Sequence, residues 1–189
     1  MRKKLDRRVE MTKKLLKKSL IELLKTESIQ KISIRTLCQN ADINRSTFYK
    51  HYSSQYDLLK DIEEDFFGEI EEFFSPIPSL PELTDADRTL QLTNVLTYMH
   101  ANLDLCKILM IYNIDPDFEA KLMTLPSVIE RSRHDSQRSI NFQQFSYIQL
   151  FVLDGAYCMI KRWSIGDCQE SPQEIATMIR SISQKIYNN

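Results

Sequence analysis

Three glycines, Gly68, Gly155 and Gly166, are all that the 189 residues contain, and no two lie close together. Glycine supplies the positive backbone angles that tight hairpin turns need, so a chain this poor in it is ill suited to a sheet-rich fold. The same scarcity removes a class of function. Neither G-x-G-x-x-G nor G-x-x-x-x-G-K-[ST] can be assembled from glycines so far apart, which excludes the nucleotide enzymes built on those phosphate cradles. Three of the six prolines, Pro76, Pro78 and Pro81, fall in one short stretch that reads as a connector.

Apolar periodicity then predicts helix almost throughout. Val9, Leu16, Leu20, Leu23 and Leu24 recur at helical spacing over 7–26, with Lys13, Lys14, Lys17 and Lys18 in the intervening turns. Short helices are expected at 33–40 and 44–52, and a longer one at 54–74. Beyond the connector, Thr84 followed by Asp87 suits a helix start running to about 102, and a second apolar helix occupies about 105–112. Asp115-Pro116 restarts the chain in a helix to about 133 that Pro126 divides, and the polar stretch 132–141 reads as a loop. From Phe142 to Ile165 the chain is apolar on nearly all faces, which predicts burial on more than one side, with Gly166 as the stop. Ser171-Pro172-Gln173-Glu174 is a capping box opening a final helix whose stripe is Ile175, Met178, Ile179, Ile182 and Ile186. The expected fold is all-α: an N-terminal three-helix unit over 1–54 and a larger helical unit over 55–189.

Charge divides the chain in nearly the same way. Residues 1–60 hold 15 Lys and Arg against 6 Asp and Glu, and residues 61–189 hold 10 against 20, or +9 and −10. A net charge of −1 conceals this. A strongly basic segment at one end is the footprint of contact with nucleic acid or another anionic surface, and it implies a different task for the remainder.

The residues that make this specific are Ser33-Ile-Arg-Thr-Leu-Cys-Gln-Asn-Ala-Asp-Ile-Asn-Arg-Ser-Thr-Phe-Tyr-Lys-His-Tyr52. Two short helices joined by a three- or four-residue turn form a helix-turn-helix, whose second helix enters the major groove of DNA. Ile34, Leu37, Ala41, Ile43 and Phe48 are the positions that hold the pair together. Arg45, Ser46, Thr47, Tyr49, Lys50 and His51 then face outward with donors suited to phosphates and base edges. With Ser33 and Arg35 they make up the candidate DNA face, in which Arg45 and Lys50 are the expected base readers and Tyr49 and His51 the expected phosphate contacts.

On these residues the chain resembles the tetracycline-repressor (TetR) family, whose signature reads roughly [ST]-x-R-x-[IL]-A-x-x-A-G-[VI]-[ST]-x-x-[TA]-[FLI]-Y-x-[HY]-F. Ser33, Arg35, Leu37, Ala41, Ile43, Thr47, Phe48, Tyr49 and His51 match, and Tyr52 replaces the final Phe. Cys38 takes the small-residue site, Asp42 stands at the turn glycine, and Asn44 replaces Ser or Thr. Asp tolerates left-handed backbone better than most residues, so the turn is expected to survive. Gln55 occupies the site of a family Lys that contacts phosphate, and Lys60 lies a turn and a half further on. Asp115-Pro116-Asp117-Phe118, Gly155-Ala156, Lys161-Arg162-Trp163 and Ser171-Pro172-Gln173-Glu174-Ile175 resemble a subgroup of that family, the regulators of dihydroxyacetone kinase genes. The resemblance implies a transcription regulator that binds a palindromic operator in double-stranded DNA as a homodimer, by default a repressor, under the control of a small-molecule or protein effector. It also implies a dimer interface on the last two helices. A helical co-regulator acting through protein contacts is the alternative that the outward Arg45, Thr47, Tyr49 and Lys50 argue against.

Within the last two helices, Ile148, Val152, Gly155 and Met159, with Ile175, Ile179, Ile182 and Ile186, are the expected dimer stripe. Glycine in a helix costs about 1 kcal/mol relative to alanine, so Gly155 points to close helix approach. Tyr98, Met99, His100, Cys106, Tyr147 and Phe151 are the candidate effector-pocket residues. His51, His100 and His134 have no paired spacing with each other or with cysteine, so neither metal nor cofactor is expected. Cys38, Cys106, Cys158 and Cys168 are widely spaced, which suits a reducing cytoplasm and small apolar roles rather than disulfides. Glu63, Glu64, Asp65, Glu69, Glu71 and Glu72 read as a solvated helix face rather than a metal cluster. No catalytic pairing is found, and no stretch is long enough to span a bilayer.

Overall fold

The computed structural model describes residues 2–74, 84–111, 118, 121–122 and 142–188. Every regular element among them is helical: α1 (Arg2–Leu24), α2 (Ile34–Asn40), α3 (Arg45–Phe48), α4 (Gln55–Phe74), α5 (Asp85–Ala101), α6 (Leu103–Ile111), α7 (Phe142–Ile165) and α8 (Pro172–Asn188). The proline-rich connector and the loop at 132–141 lie outside the described residues. So does the helix expected from Pro116, apart from Phe118, Lys121 and Leu122, which are helical. The contacts fall into two compact units, Met1–Phe67 and Gly68–Asn189, so the division lies inside α4.

The first unit is organised by α1. Leu16, Leu20 and Leu24, at helical spacing, are buried along one stripe. The buried Ser19 beside them donates its hydroxyl to the Leu37 carbonyl at 2.9 Å and accepts from Asn40 Nδ2 at 3.1 Å, tying α1 to both turns of α2. A buried hydroxyl with both of its roles filled contributes register as well as stability. Leu37 and Phe48 are fully buried and join α2 to α3, while Leu58, Leu59, Ile62 and Phe66 of α4 complete the core.

The second unit is framed by α5 and α8. Thr84 and Asp87 form a capping box at the start of α5. Ser171 and Glu174 form another at α8, where the Ser171 amide and hydroxyl donate to Glu174 Oε2 at 2.8 and 2.7 Å and the Glu174 amide donates to Ser171 Oγ at 3.3 Å. Thr93 donates to Gln173 Oε1 at 3.1 Å and Arg180 Nη2 to Asp85 Oδ1 at 3.0 Å, so the two helices run antiparallel. Val95, Leu96 and Met99 of α5 and Ile175, Ala176 and Ile179 of α8 are buried.

Three details depart from expectation. After α7 the left-handed positions are Asp167 (φ 59°) and Cys168 (φ 53°), while Gly166 keeps a negative φ. The helix stops at Ile165, directly before the glycine, but the Gly166 amide still bonds the Arg162 carbonyl at 3.0 Å, and the Cys168 amide closes the end on the Trp163 carbonyl at 3.0 Å, so the reversal falls one residue later. Nor is α7 buried on several sides: Tyr147, Leu150, Phe151, Gly155, Cys158 and Ile165 are exposed, because its neighbours within the chain cover only one stripe. Finally, Glu63 is buried at 2% exposure, although Glu64 and Asp65 beside it face solvent as a charged run is expected to. The pattern of α4 places Glu63 directly after the buried Ile62, on the edge of its apolar stripe.

Candidate nucleic-acid interface

The helix-turn-helix is built by two side-chain caps and one strained residue. Ser33 caps α2, its Oγ accepting from the Thr36 amide at 3.0 Å. Asn44 caps α3, its Oδ1 accepting from the Ser46 amide at 3.0 Å and from the Ser46 hydroxyl at 3.1 Å. Between them Asp42 sits at φ 53°, where the family signature has glycine. The turn survives the substitution because an Asp side chain is tolerated in this region. The Ile43 amide then bonds the Cys38 carbonyl at 2.9 Å and locks the reversal.

The recognition element is shorter than the 44–52 expected. Regular helix spans only Arg45–Phe48, and tighter bonds from the Lys50 amide to Thr47 (3.2 Å) and the His51 amide to Phe48 (2.9 Å) carry the chain on as turn. Phe48 is the anchor. It is fully buried, with Tyr49 edge-on at 5.5 Å and Tyr52 tilted against it at 5.7 Å. Arg35, Arg45, Ser46, Tyr49 and Lys50 are exposed, Thr47 and His51 half-buried, and Ser33 is exposed with its hydroxyl engaged in the cap. The candidate face is therefore assembled on one small scaffold.

A cleft of about 600 Å³ runs along the turn, lined by Arg35, Cys38, Gln39, Asp42, Ile43, Asn44 and Arg45. Burial pushes the Cys38 thiol above its ordinary pKa and the Arg45 charge pulls it part of the way back, so Cys38 serves as a small apolar filler beneath two guanidinium groups. Gln39 and Asn44, which also line the cleft, were not among the expected contacts. Gln55 directs its Nε2 to the Ile29 carbonyl at 3.5 Å, and Lys60 is exposed on α4.

Of the candidate pocket residues, Met99 and Cys106 are buried, while Tyr147 and Phe151 stand out from α7 at 66% and 69% exposure. His100 is exposed and stacks on Trp163 with ring centres 6.2 Å apart. Burial, reinforced by the neighbouring Cys168, pushes the Cys106 thiol up to about 12, which keeps it protonated and unreactive. Of the expected dimer stripe, Ile175 and Ile179 are buried within the single chain. Ile148, Val152, Met159 and Ile186 are half-buried, and Gly155 and Ile182 are exposed. The apolar surface left open consists of Tyr147, Leu150, Phe151 and Ile165 on α7 with Met178 and Ile182 on α8. Among the described residues no group of three or more His, Cys, Asp or Glu side chains is placed to hold a metal ion, and no helix is long and apolar enough to cross a membrane.

A capped helix-turn-helix with an exposed basic and hydroxyl face, joined in one chain to an all-helical second unit, defines the class of helical transcription regulators. The family model described as the transcriptional regulator C-terminal region of TetR proteins matches residues 89–185, and the chain belongs to the TetR family. A search of curated proteins finds no match. Among solved structures the chain is similar to a TetR transcriptional regulator from Streptococcus agalactiae 2603V, with 22% identity and a TM-score of 0.69 over 97% of this chain and 99% of that one. It is similar also to a TetR-like regulator from Rhodococcus sp. RHA1 (14% identity, TM-score 0.70, 94% and 96% covered). A third likeness is the dihydroxyacetone kinase operon activator DhaS (20% identity, TM-score 0.63, 92% and 94% covered). At these identities the likeness concerns the fold.

Proposed function

We propose that the chain is a DNA-binding repressor that places two copies of its helix-turn-helix on the half-sites of a palindromic operator. The observation that carries this reading is the exposed set Arg35, Arg45, Ser46, Tyr49 and Lys50 on a scaffold held rigid by Phe48 and the Asn44 cap. Arg45 and Lys50 read base edges, Tyr49 and His51 fix register on phosphates, and the basic N-terminal segment supplies long-range attraction. Selection from a pool of random duplexes tests it: an enriched inverted repeat supports the reading, and recovery of unenriched sequence at every salt concentration overturns it.

The dimer is supported by the open apolar surface on α7 and α8, which pack together and leave Tyr147, Leu150, Phe151, Met178 and Ile182 facing solvent in a single chain. A self-complementary contact across a two-fold axis removes such a patch from water. Release from DNA is assigned to an effector that binds the second unit and shifts the population of DNA-competent dimers. A thermal-shift screen against small metabolites tests that, because a ligand selective for the native state raises the unfolding midpoint. The sign of regulation is read from a reporter fused to the selected operator: repression predicts higher expression without the protein, whereas one structure alike in fold belongs to an operon activator.

A further inference from the structure

Just behind the recognition element, one carboxylate oxygen gathers three donors from two other elements. Asp61 Oδ2 on α4 lies 2.5 Å from Tyr52 Oη, 3.3 Å from Lys13 Nζ and 3.1 Å from Lys17 Nζ. Lys17 also bonds the Asp61 backbone carbonyl at 3.1 Å and the Asp65 carboxylate at 2.6 Å, and Lys13 lies over the Tyr52 ring at 5.5 Å from its centre. Tyr52 is buried, and its amide bonds the Phe48 carbonyl at 3.0 Å, so the ring that meets Asp61 is continuous with the last residue of α3. The family signature has Phe where Tyr52 stands, and Phe has no hydroxyl to make this bond.

We propose that Asp61 is a positioning residue for operator recognition: by holding the Tyr52 hydroxyl between Lys13 and Lys17 it fixes the angle at which the four-residue α3 leaves α4. The inference rests on the DNA-binding reading and deepens it. A helix of four residues has too few internal bonds to hold its own direction, so the contacts that bracket it decide where its side chains point. Before it stands the Asn44 cap, and after it stands Tyr52. The arrangement also removes Lys13 and Lys17 from the cations presented to DNA, because Asp61 and Asp65 already neutralise them.

Two variants of the full chain separate positioning from charge. Asp61→Asn raises the net charge by one unit and removes the carboxylate that Lys13 and Lys17 share, so electrostatics alone predicts tighter binding to every duplex. Positioning predicts the opposite sign for the selected operator: affinity for random duplex is held or increased, and the ratio of operator to random affinity falls by about tenfold, the scale of one lost charge-assisted bond. Tyr52→Phe keeps the buried ring and all charges, and is expected to lower the same ratio with an unchanged salt slope. Helix content is followed in parallel, and if Asp61→Asn does not fold, Tyr52→Phe decides alone. A wild-type ratio in Tyr52→Phe, or in folded Asp61→Asn, overturns the proposal and leaves the DNA-binding reading standing. Failure of the wild-type protein to prefer any sequence overturns both.

Discussion

The contacts that Arg45 and Lys50 are assigned depend on how little else those side chains do. Both are exposed, so truncation leaves no buried partner stranded and the loss is read directly in binding. Each bidentate base contact removed is expected to cost about 1–3 kcal/mol and to relax preference at one base pair, so Arg45→Ala with Lys50→Ala broadens the selected site. Four carboxylates contribute to the acid limit of the fold, among them Asp57, whose carboxyl the Ser53 hydroxyl and amide hold below the ordinary value. Burial works against the Asp61 charge, but the Tyr52 and Lys17 hydrogen bonds and the Lys17 and Lys13 charges outweigh it and hold its carboxyl below the ordinary value. The Thr84 hydroxyl and amide lower Asp87 in the same direction, and those of Ser171 lower Glu174. Folded-state values below the unfolded ones mean that stability is fully present above the ordinary carboxylate range and is lost as pH falls through it. The denaturation midpoint is therefore expected to be flat from about pH 7 to pH 5 and to fall towards pH 3, where unfolding takes up protons. A midpoint that rises over that interval contradicts the assignment.

Among the elements, α7 carries the sharpest conflict between local preference and packing. Among the described residues a Cβ placed on Gly155 meets nothing within 4 Å, so none of them requires the glycine for close approach. Alanine there should strengthen the helix by up to about 1 kcal/mol if nothing else touches it. If a partner helix crosses at Gly155, a larger side chain holds the two apart: Gly155→Leu is expected to keep its helix content and weaken self-association, as equilibrium sedimentation would show. The buried Ile179 is a poor probe of the same surface, since a charge there disrupts the core of its own unit before any interface is reached.

For the whole molecule, charge and symmetry act together. The N-terminal segment carries +9, yet Lys13 and Lys17 are paired internally, so the phosphates neutralised per subunit are fewer than the formal charge suggests. Log K is expected to fall by about 0.9 per phosphate contact against log salt, and a flat response would contradict a DNA role. Phe151→Glu with Met178→Glu places charge on exposed positions of α7 and α8 without touching the core. The expected product is a helical monomer by sedimentation that has lost operator binding, because one half-site offers only half of the contacts. A dimer that survives both charges would place the interface elsewhere.

The all-helical fold, the helix-turn-helix and the capping boxes of the second unit were legible because they depend on neighbours in sequence. Thr84 and Asp87, like Ser171 and Glu174, lie within three residues of each other, and the stripe Leu16, Leu20, Leu24 is a property of one helix. Which face of a helix meets which neighbour is a different kind of fact. Lys13, Lys14, Lys17 and Lys18 of α1 look alike in the sequence, but Lys13 and Lys17 turn to α4 while Lys14 and Lys18 stay in solvent. Ile175 and Ile182 share one periodic stripe, but the first is buried and the second is left open. The Tyr at a Phe position of the signature was the one visible sign of the Asp61 cluster. Its partners lie 9, 35 and 39 positions away in the sequence, at Asp61, Lys17 and Lys13, and only the packing of α1 and of the turn after α3 against α4 brings the three donors to a single oxygen.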